Sequence, residues 1–491
     1  MKSLNKEILR LAVPSILANI TVPLVGMVDI AVAGHLKAGE LLTAASFIGG
    51  ISIGSMLFDL LYWNFAFLRV CTGGLTAQAF GRRDMRESAR ILVRALLLAL
   101  GCAALILAVQ WPFSKLAFLV VDCSDEVKSL ALDYFFTRVW AAPATLSLMA
   151  FRGWFIGMQD SVSSMVTDLV VNFVNIAASI VLCLGLVPFG GQWEGMGFVG
   201  IALGTVIAQY SGLLYCVIKL MAKYFRVFDG FSREDVARSF RPEVLKSFTA
   251  MNRDYFIRSL CFTGIYIGYT VISARYGDLM LASSAIMMKL LMIFSFFTDG
   301  FAYAGEALTG RFIGENSLER TSMAVKYVFG WSMSLVALFM LVYWLGGVPL
   351  LRLMTSDEAV VEACRQFLPW LILMPPIGCA AFTWDGIYLG ATASRGVRNG
   401  MLAALVSFFA CWFIGIAILR LSYGLPLLHS GYVEALSGLD SAVSATDITV
   451  QRFQALAIHV LMIAYFAHLL ARTIVMTITY KKEVLDRHFA R

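Results

Sequence analysis

Charge is scarce in this chain. Asp, Glu, Lys and Arg together make up 14% of the 491 residues while 59% are hydrophobic, which leaves too little polar surface to cover a water-soluble protein of this size. Histidine is rare too. His35, His429, His459, His468 and His488 are dispersed, with no metal-binding or Asp-rich phosphate motif nearby, so a multispan membrane enzyme acting on lipid lacks a catalytic cluster. The nine cysteines show no metal or disulfide spacing. Only Cys123 and Cys364 fall in expected outer loops, where a bridge is chemically open; the other seven read as packing residues. The net charge of +7 is spread over loops, and nucleic-acid binding is not expected.

What the chain has in abundance is apolar length. Stretches of roughly 20 or more mostly apolar residues, each able to cross about 30 Å of hydrocarbon, occur near 8–33, 42–70, 88–110, 129–151, 162–188, 196–222, 249–273, 279–305, 323–346, 359–390, 399–421 and 452–479. That is six per half, and an even number makes both halves enter the membrane from the same side. The expected fold is an all-α polytopic membrane protein with twelve transmembrane helices in two pseudo-symmetric six-helix lobes. Residues 1–222 would form the first lobe, 223–248 a cytoplasmic linker, 249–480 the second lobe and 481–491 a basic cytoplasmic tail. The first apolar stretch follows Lys2, Lys6 and Arg10 but has no clear cleavage site, so it is expected to be retained.

Basic residues set the orientation. Arg82, Arg83 and Arg86, the segment Lys219 to Lys246, Arg395 and Arg398, and Lys481, Lys482, Arg487 and Arg491 all lie on one side, whereas Ser422 to Gln451 has neither Lys nor Arg. The positive-inside rule then places both termini in the cytoplasm of a plasma (inner) membrane protein, expected as a monomer. The segment 422–451 is either a solvated outer loop or a gate.

Two short patterns recur 233 residues apart. Leu75-Thr76 with Gly81 returns as Leu308-Thr309 with Gly314, and Arg152-Gly153-Trp-Phe-Ile-Gly157 returns as Asp385-Gly386-Ile-Tyr-Leu-Gly390. One separation shared by elements about 76 residues apart points to duplication, a common plan of secondary transporters. Arg152 and Asp385, matched by this separation, are expected near water-exposed helix ends.

Ionisable groups inside apolar stretches are costly, about 3 kcal/mol each on insertion scales, and default to functional candidates. Asp29 follows Pro14 and Pro23 in the first stretch and has no basic neighbour in sequence; the prolines are hinge candidates. On the fifth stretch Asp168, Asn172, Asn175 and Ser179 are spaced four, three and four apart, one face of a helix. Lipid would leave that face unpaired, so it should turn inward to line a cavity. Thr205 lies at similar depth on the sixth stretch. In the second half Asp299 and Glu306 share a face of the eighth, with Lys289 three turns away. They form either a compensated structural group or part of a substrate path.

Several of these segments resemble the multidrug and toxic compound extrusion (MATE) family. Pro-Leu-Val-Gly-Met-Val-Asp29-Ile-Ala-Val-Ala-Gly is similar to its opening motif. Arg69 with Gly73-Gly74-Leu-Thr-Ala-Gln-Ala-Phe-Gly81, the run Arg152 to Asp160, and Asp299-Gly-Phe-Ala-Tyr-Ala-Gly-Glu306-Ala-Leu-Thr-Gly resemble its prokaryotic branch named after DNA-damage-inducible protein F. The resemblance runs from about residue 6 to 480. It implies export of amphipathic, often cationic organic compounds against proton or sodium entry, without a cofactor or any metal beyond a transported sodium ion. It also implies a cation-responsive site at Asp29, Asn175, Ser179 and Thr205. Ser179 departs from the family pattern, which commonly has Asp there.

A cation-coupled antiporter with alternating access is therefore the expected function. Loss of the second carboxylate favours the proton, because sodium needs several oxygen ligands whereas one buried carboxylate suffices for proton exchange. Asp168 is the weak point, since it could restore the missing charge. Within the same fold superfamily a lipid-linked oligosaccharide flippase is the alternative; it calls for a cationic cavity, whereas the buried charge reads as mainly acidic.

Overall fold

The computed structural model describes residues 2–34, 44–119, 124–185, 195–229, 231–239, 241–355, 357–423 and 443–489. Regular structure among them is helical throughout. The first half comprises α1 (Lys2–Gly34), α2 (Ala44–Tyr62), α3 (Phe67–Gly81), α4 (Met85–Ala117), α5 (Asp125–Arg138), α6 (Ala142–Gly157), α7 (Ser161–Leu184) and α8 (Phe198–Lys223). A short α9 (Arg233–Ser239) follows. The second half comprises α10 (Pro242–Ala274), α11 (Asp278–Gly314), α12 (Leu318–Met354), α13 (Glu358–Arg365), α14 (Leu368–Gly390), α15 (Ser394–Ser422) and α16 (Val443–Tyr480).

Among the described residues 11 helical runs are long and apolar enough to cross a membrane, with α2 and α3 forming one run across a 3₁₀ turn at Trp63–Phe65. The remaining crossing is the stretch 129–151. There α5 and α6 are joined by a 3₁₀ turn at Val139–Ala141, and a proline opens α6, where its missing N–H costs nothing. The apolar side chains left outside mark a surface suited to lipid. On α15 Val406, Phe413, Ile414, Ile418 and Leu421 are between 61% and 66% exposed, a stripe that water would penalise and hydrocarbon does not.

The separation of 233 residues governs the backbone. Helices α4, α7 and α5 begin at residues 85, 161 and 125, and their counterparts α12, α15 and α13 at 318, 394 and 358. Even the left-handed residues pair: Arg83 with Asn316 and Gln159 with Thr392, with φ of 59°, 55°, 62° and 52°. Each sits just past a helix end whose final carbonyl is taken by an N–H five residues on, Asp84 to Ala79, Ser317 to Phe312, Asp160 to Phe155 and Ala393 to Tyr388. This is one helix-ending device used four times.

The repeated glycines have the same structural explanation. A Cβ on Gly153 would overlap the carbonyl of Arg69, and one on Gly386 that of Ala302; Gly157 and Gly390 press likewise on Gly73 and Glu306. They let α6 lie directly on α3, and α14 on α11. Gly81 and Gly314 face each other's helices, against Arg311 and Gln78, and there the two halves touch.

Between the halves, Asp235 on α9 is held by Arg90 Nη2 at 2.6 Å, and hydrogen bonds from Arg90 and the Ser232 N–H bring its carboxyl down to about 2. Asp160 caps α7. It accepts from Ser163 N–H, Lys223 Nζ and Tyr224 Oη at 3.1, 2.6 and 2.6 Å; burial opposes its ionisation, but these donors outweigh burial and lower it to about 2. Beyond α16 the helix continues through a π-helical turn at Lys481–Asp486 and brings His488 Nε2 to 2.9 Å from the Ala391 carbonyl. Cys364, expected in an outer loop, is instead buried on α13, its thiol against the Ser283 carbonyl of α11. Its suggested partner Cys123 and most of the segment 422–451 lie outside the described residues.

Candidate functional site

The polar stripe on α7 turns inward, and its members meet α1, α6 and α8. Asn175 donates from Nδ2 to Thr205 Oγ1 on α8 at 2.8 Å. Asn172 donates to Thr21 Oγ1 on α1 at 2.6 Å, fixing α1 two residues before Pro23 in a helix that runs unbroken through Pro14 and Pro23. Ser179 lies close enough to act on the Asp29 carboxylate of α1. Small residues permit this closeness: a Cβ on Gly204 of α8 would overlap Ser179.

Asp29, Asn175, Ser179 and Thr205 are all buried, between 0% and 7% exposed. Among the described residues, Asp29 Oδ1, Asn175 Oδ1 and Ser179 Oγ meet no partner in full hydrogen-bond geometry. Buried oxygens left unmatched are costly, about 1–3 kcal/mol each, and three together form a ready acceptor for a cation or a proton. Among the described residues Asp29 makes no ion pair within 4 Å, although Arg138 at the end of α5 acts on it through space, a base that adjacency in sequence did not supply.

Asp168 is not free to restore the missing carboxylate. It is salt-bridged to Arg152 of α6, and it precedes Ser179 by 11 residues, about 16 Å along the helix. Arg152 is accordingly a half-buried ion-pair partner, and water exposure does not explain it.

The second half is built from matched charges. Asp385 is only 7% exposed, against the expectation of a wet helix end; Arg258 Nη2 of α10 donates to it at 2.7 Å and Arg472 Nε of α16 at 3.1 Å. Glu306 is fully buried and pairs with Arg69 Nη1 of α3 at 3.1 Å, an ion pair that joins the halves, with the Arg69 guanidinium 4.6 Å over the Tyr303 ring. Gly73 makes room for it, since a Cβ there would overlap Glu306 Oε1. Lys289 does not compensate this group. It stands ten residues from Asp299, about 15 Å along α11, and is exposed.

Asp299 is half-buried, makes no ion pair among the described residues, and feels Asp385, Arg69, Arg472 and Arg258 through space. The buried charge is therefore balanced rather than mainly acidic. Arg69, Arg138, Arg258 and Arg472 all lie inside apolar stretches, and the rule that singled out Asp29 would have found them had it been applied to bases.

One more acid emerges from the tertiary structure. Asp59 on α2 is exposed within a membrane-spanning run, and so is Lys289 on α11. Shifted by the repeat, Asp59 falls on Met292, one turn from Lys289, so the two lie at comparable depth in equivalent helices of opposite halves. Lys289 acts on Asp59 through space. Nearby, Trp63 meets Tyr266 edge-on with ring centroids 5.2 Å apart, again across the halves. An acid, a base and aromatic rings thus flank the seam.

A duplicated helical membrane fold with a buried carboxylate lacking an ion pair among the described residues follows a plan common among secondary transporters. The chain belongs to the MatE family, whose sequence pattern matches it twice, at residues 14–181 and 255–419. Members are ion-coupled membrane antiporters for small organic molecules, not enzymes, and require no cofactor.

Among curated relatives, the chain is 34% identical over 408 residues to DNA damage-inducible protein F of Escherichia coli (strain K12), covering 83% of this chain and 85% of that one. A probable multidrug resistance protein NorM from Idiomarina loihiensis is 20% identical, covering 84% and 85%. Solved structures include an outward-facing multidrug resistance MATE family transporter of the MOP superfamily, with a TM-score of 0.74, 17% identity and coverage of 98% and 96%. A MATE in a bent conformation gives 0.76, 17%, and 99% and 97%. At such identities the structural likeness speaks for the fold alone.

Proposed function

We propose that the protein exports amphipathic, cationic organic molecules across a plasma (inner) membrane in exchange for protons, with Asp29 as the group that carries the proton. The observation that supports this reading is the trio of buried, unpartnered oxygens at Asp29, Asn175 and Ser179 beside Thr205. A proton taken up by Asp29 removes a charge from a dry pocket and turns its oxygen into a donor for Asn175 or Ser179. That change alters how α1 sits on α7, with Pro14 and Pro23 as the places where α1 bends. Coupling then follows if substrate and proton favour different arrangements of α1.

A single carboxylate in the pocket favours the proton over sodium. The other polar members are neutral, and Asp168 is committed to Arg152. Substrate would enter the seam between the halves, flanked by Asp59, Lys289 and Trp63. Both termini are assigned to the cytoplasm, residues 1–222 and 249–480 to the two lobes, and the working unit to a monomer. A flippase for lipid-linked pyrophosphates would need uncommitted cations at the centre, whereas Arg69, Arg258 and Arg472 each face a carboxylate.

The test is transport by purified protein in liposomes under separately imposed gradients. A pH gradient alone is expected to drive uptake of a fluorescent organic cation. Robust transport under a sodium gradient at clamped pH, with none under a pH gradient alone, would refute proton coupling.

A further inference from the structure

Where α3 and α11 end, the two halves form an open cleft of about 660 Å³ lined by Gly81, Arg82, Arg83, Arg311, Gly314, Glu315 and Arg320. We propose that this cleft binds a phosphate group, supplied by an anionic phospholipid headgroup of the adjoining leaflet, and that the bound phosphate ties the halves together at this face.

Excess charge carries the argument. Four arginines in the lining face Glu315, and Glu7 beside it pairs with Arg311. Two helix C-termini also point here, and each contributes only about half a negative charge. With Glu315 and Glu7 both counted as ionised, the cluster keeps about one positive charge. Capping of helix ends therefore does not account for the cluster.

The arginines are also arranged as a receptor. Arg311 Nε holds Glu315 Oε1 at 2.9 Å and its Nη1 reaches Glu7 at 3.3 Å. Arg320 pairs with Glu315 and lies 4.3 Å over the Phe312 ring. These two are oriented by their neighbours. Arg82 and Arg83 are exposed and have no ion-pair partner among the described residues, so their guanidinium groups remain available for the forked hydrogen bonds that suit phosphate oxygens. Arg83 is held at the rim by the left-handed turn that ends α3.

The volume falls within the range of small-molecule sites, about 300–1,000 Å³, and admits a phosphoglycerol headgroup. Its position fits a lipid source, because the cleft opens at the ends of membrane-spanning helices, where leaflet headgroups lie. Arg82 and Arg83 come from the first half, Arg311 and Arg320 from the second. A phosphate held by both sets favours the arrangement in which Gly81 packs on Arg311 and Gly314 on Gln78.

The experiment follows thermal unfolding of the full-length protein in detergent during titration with dihexanoyl phosphatidylglycerol, dihexanoyl phosphatidylcholine or inorganic phosphate at constant ionic strength. Phosphatidylglycerol is expected to raise Tm saturably and phosphatidylcholine not to. Arg82→Gln/Arg83→Gln in one half and Arg320→Gln in the other should each weaken the half-saturating concentration roughly ten-fold or more, the scale of one charge-assisted hydrogen bond. Equal responses to the two lipids, or a wild-type response in the double variant, would overturn the site. Loss in one half's variant alone would overturn the bridging role. Saturation by inorganic phosphate at lower concentration than by the lipid would keep the phosphate site and overturn the lipid as its source.

Discussion

The two halves share a backbone and differ in what they bury. Shifted by 233 residues, the inward stripe Asp168, Asn172, Asn175 and Ser179 of α7 becomes Met401, Leu405, Phe408 and Trp412 of α15, which pack into the second half's apolar core. In return the second half holds Asp385 between two arginines where the first has Arg152, and Glu306 where the first has Gly73. Helix ends and glycine contacts were kept in register while the side chains between them diverged. The first half keeps a buried carboxylate, Asp29, with no ion pair among the described residues, whereas the second sets its buried Asp385 and Glu306 against arginines. On the mechanism proposed above, this division gives a moving pocket a matched-charge framework to move against.

The sharpest way to break the contrast is Asp29→Asn, which removes the titratable charge and keeps the side-chain shape. Uphill efflux in liposomes is expected to fall to the background of empty vesicles, with normal expression and unfolding temperature. Wild-type drug resistance from a normally expressed variant would contradict the proton-carrier role. The opposite pattern is expected in the second half. Arg69→Met strands Glu306, fully buried, and should lower stability by about 3–5 kcal/mol in denaturant titrations. Adding Glu306→Gln should recover most of that loss. If Arg69→Met is as stable as the wild type, the inter-half ion pair is not a structural tie.

A smaller effect is expected at Asp160, where the first half caps α7 with a carboxylate and the second has Ala393. Because the folded-state carboxyl titrates at about 2 rather than 3.8, its contribution is complete above about pH 4 and fades as pH falls through 2. Asp160→Asn should cost about 2 kcal/mol near pH 6 and converge with the wild type toward pH 2. A constant difference across that range would show that the loss is one of packing. The smallest effect tests the composition of the pocket. Ser179→Asp places a second carboxylate beside Asp29, and sodium-driven efflux at clamped pH is expected to appear in the variant and not in the wild type. A wild type already driven by sodium would remove the reason for assigning the proton.

Sequence alone determined a great deal here. Apolar length set the number of crossings, the repeat separation set the duplication, and residue spacing placed Asp168, Asn172, Asn175 and Ser179 on one helix face, because these are properties of a single helix or of its recurrence. It could not say which partner each buried charge would find. Lys289 shares a helix with Asp299 and Glu306 and was the natural candidate by proximity in sequence, yet Glu306 is met by Arg69, 237 residues away, and Asp385 by Arg258 and Arg472, 127 and 87 away. Asp168 looked free and is bound to Arg152. Such pairings are decided by how helices cross, since a side chain reaches only a few ångströms from its axis and what lies there belongs to another helix. Helix formation is local and legible; neutralisation of a buried charge is a tertiary event.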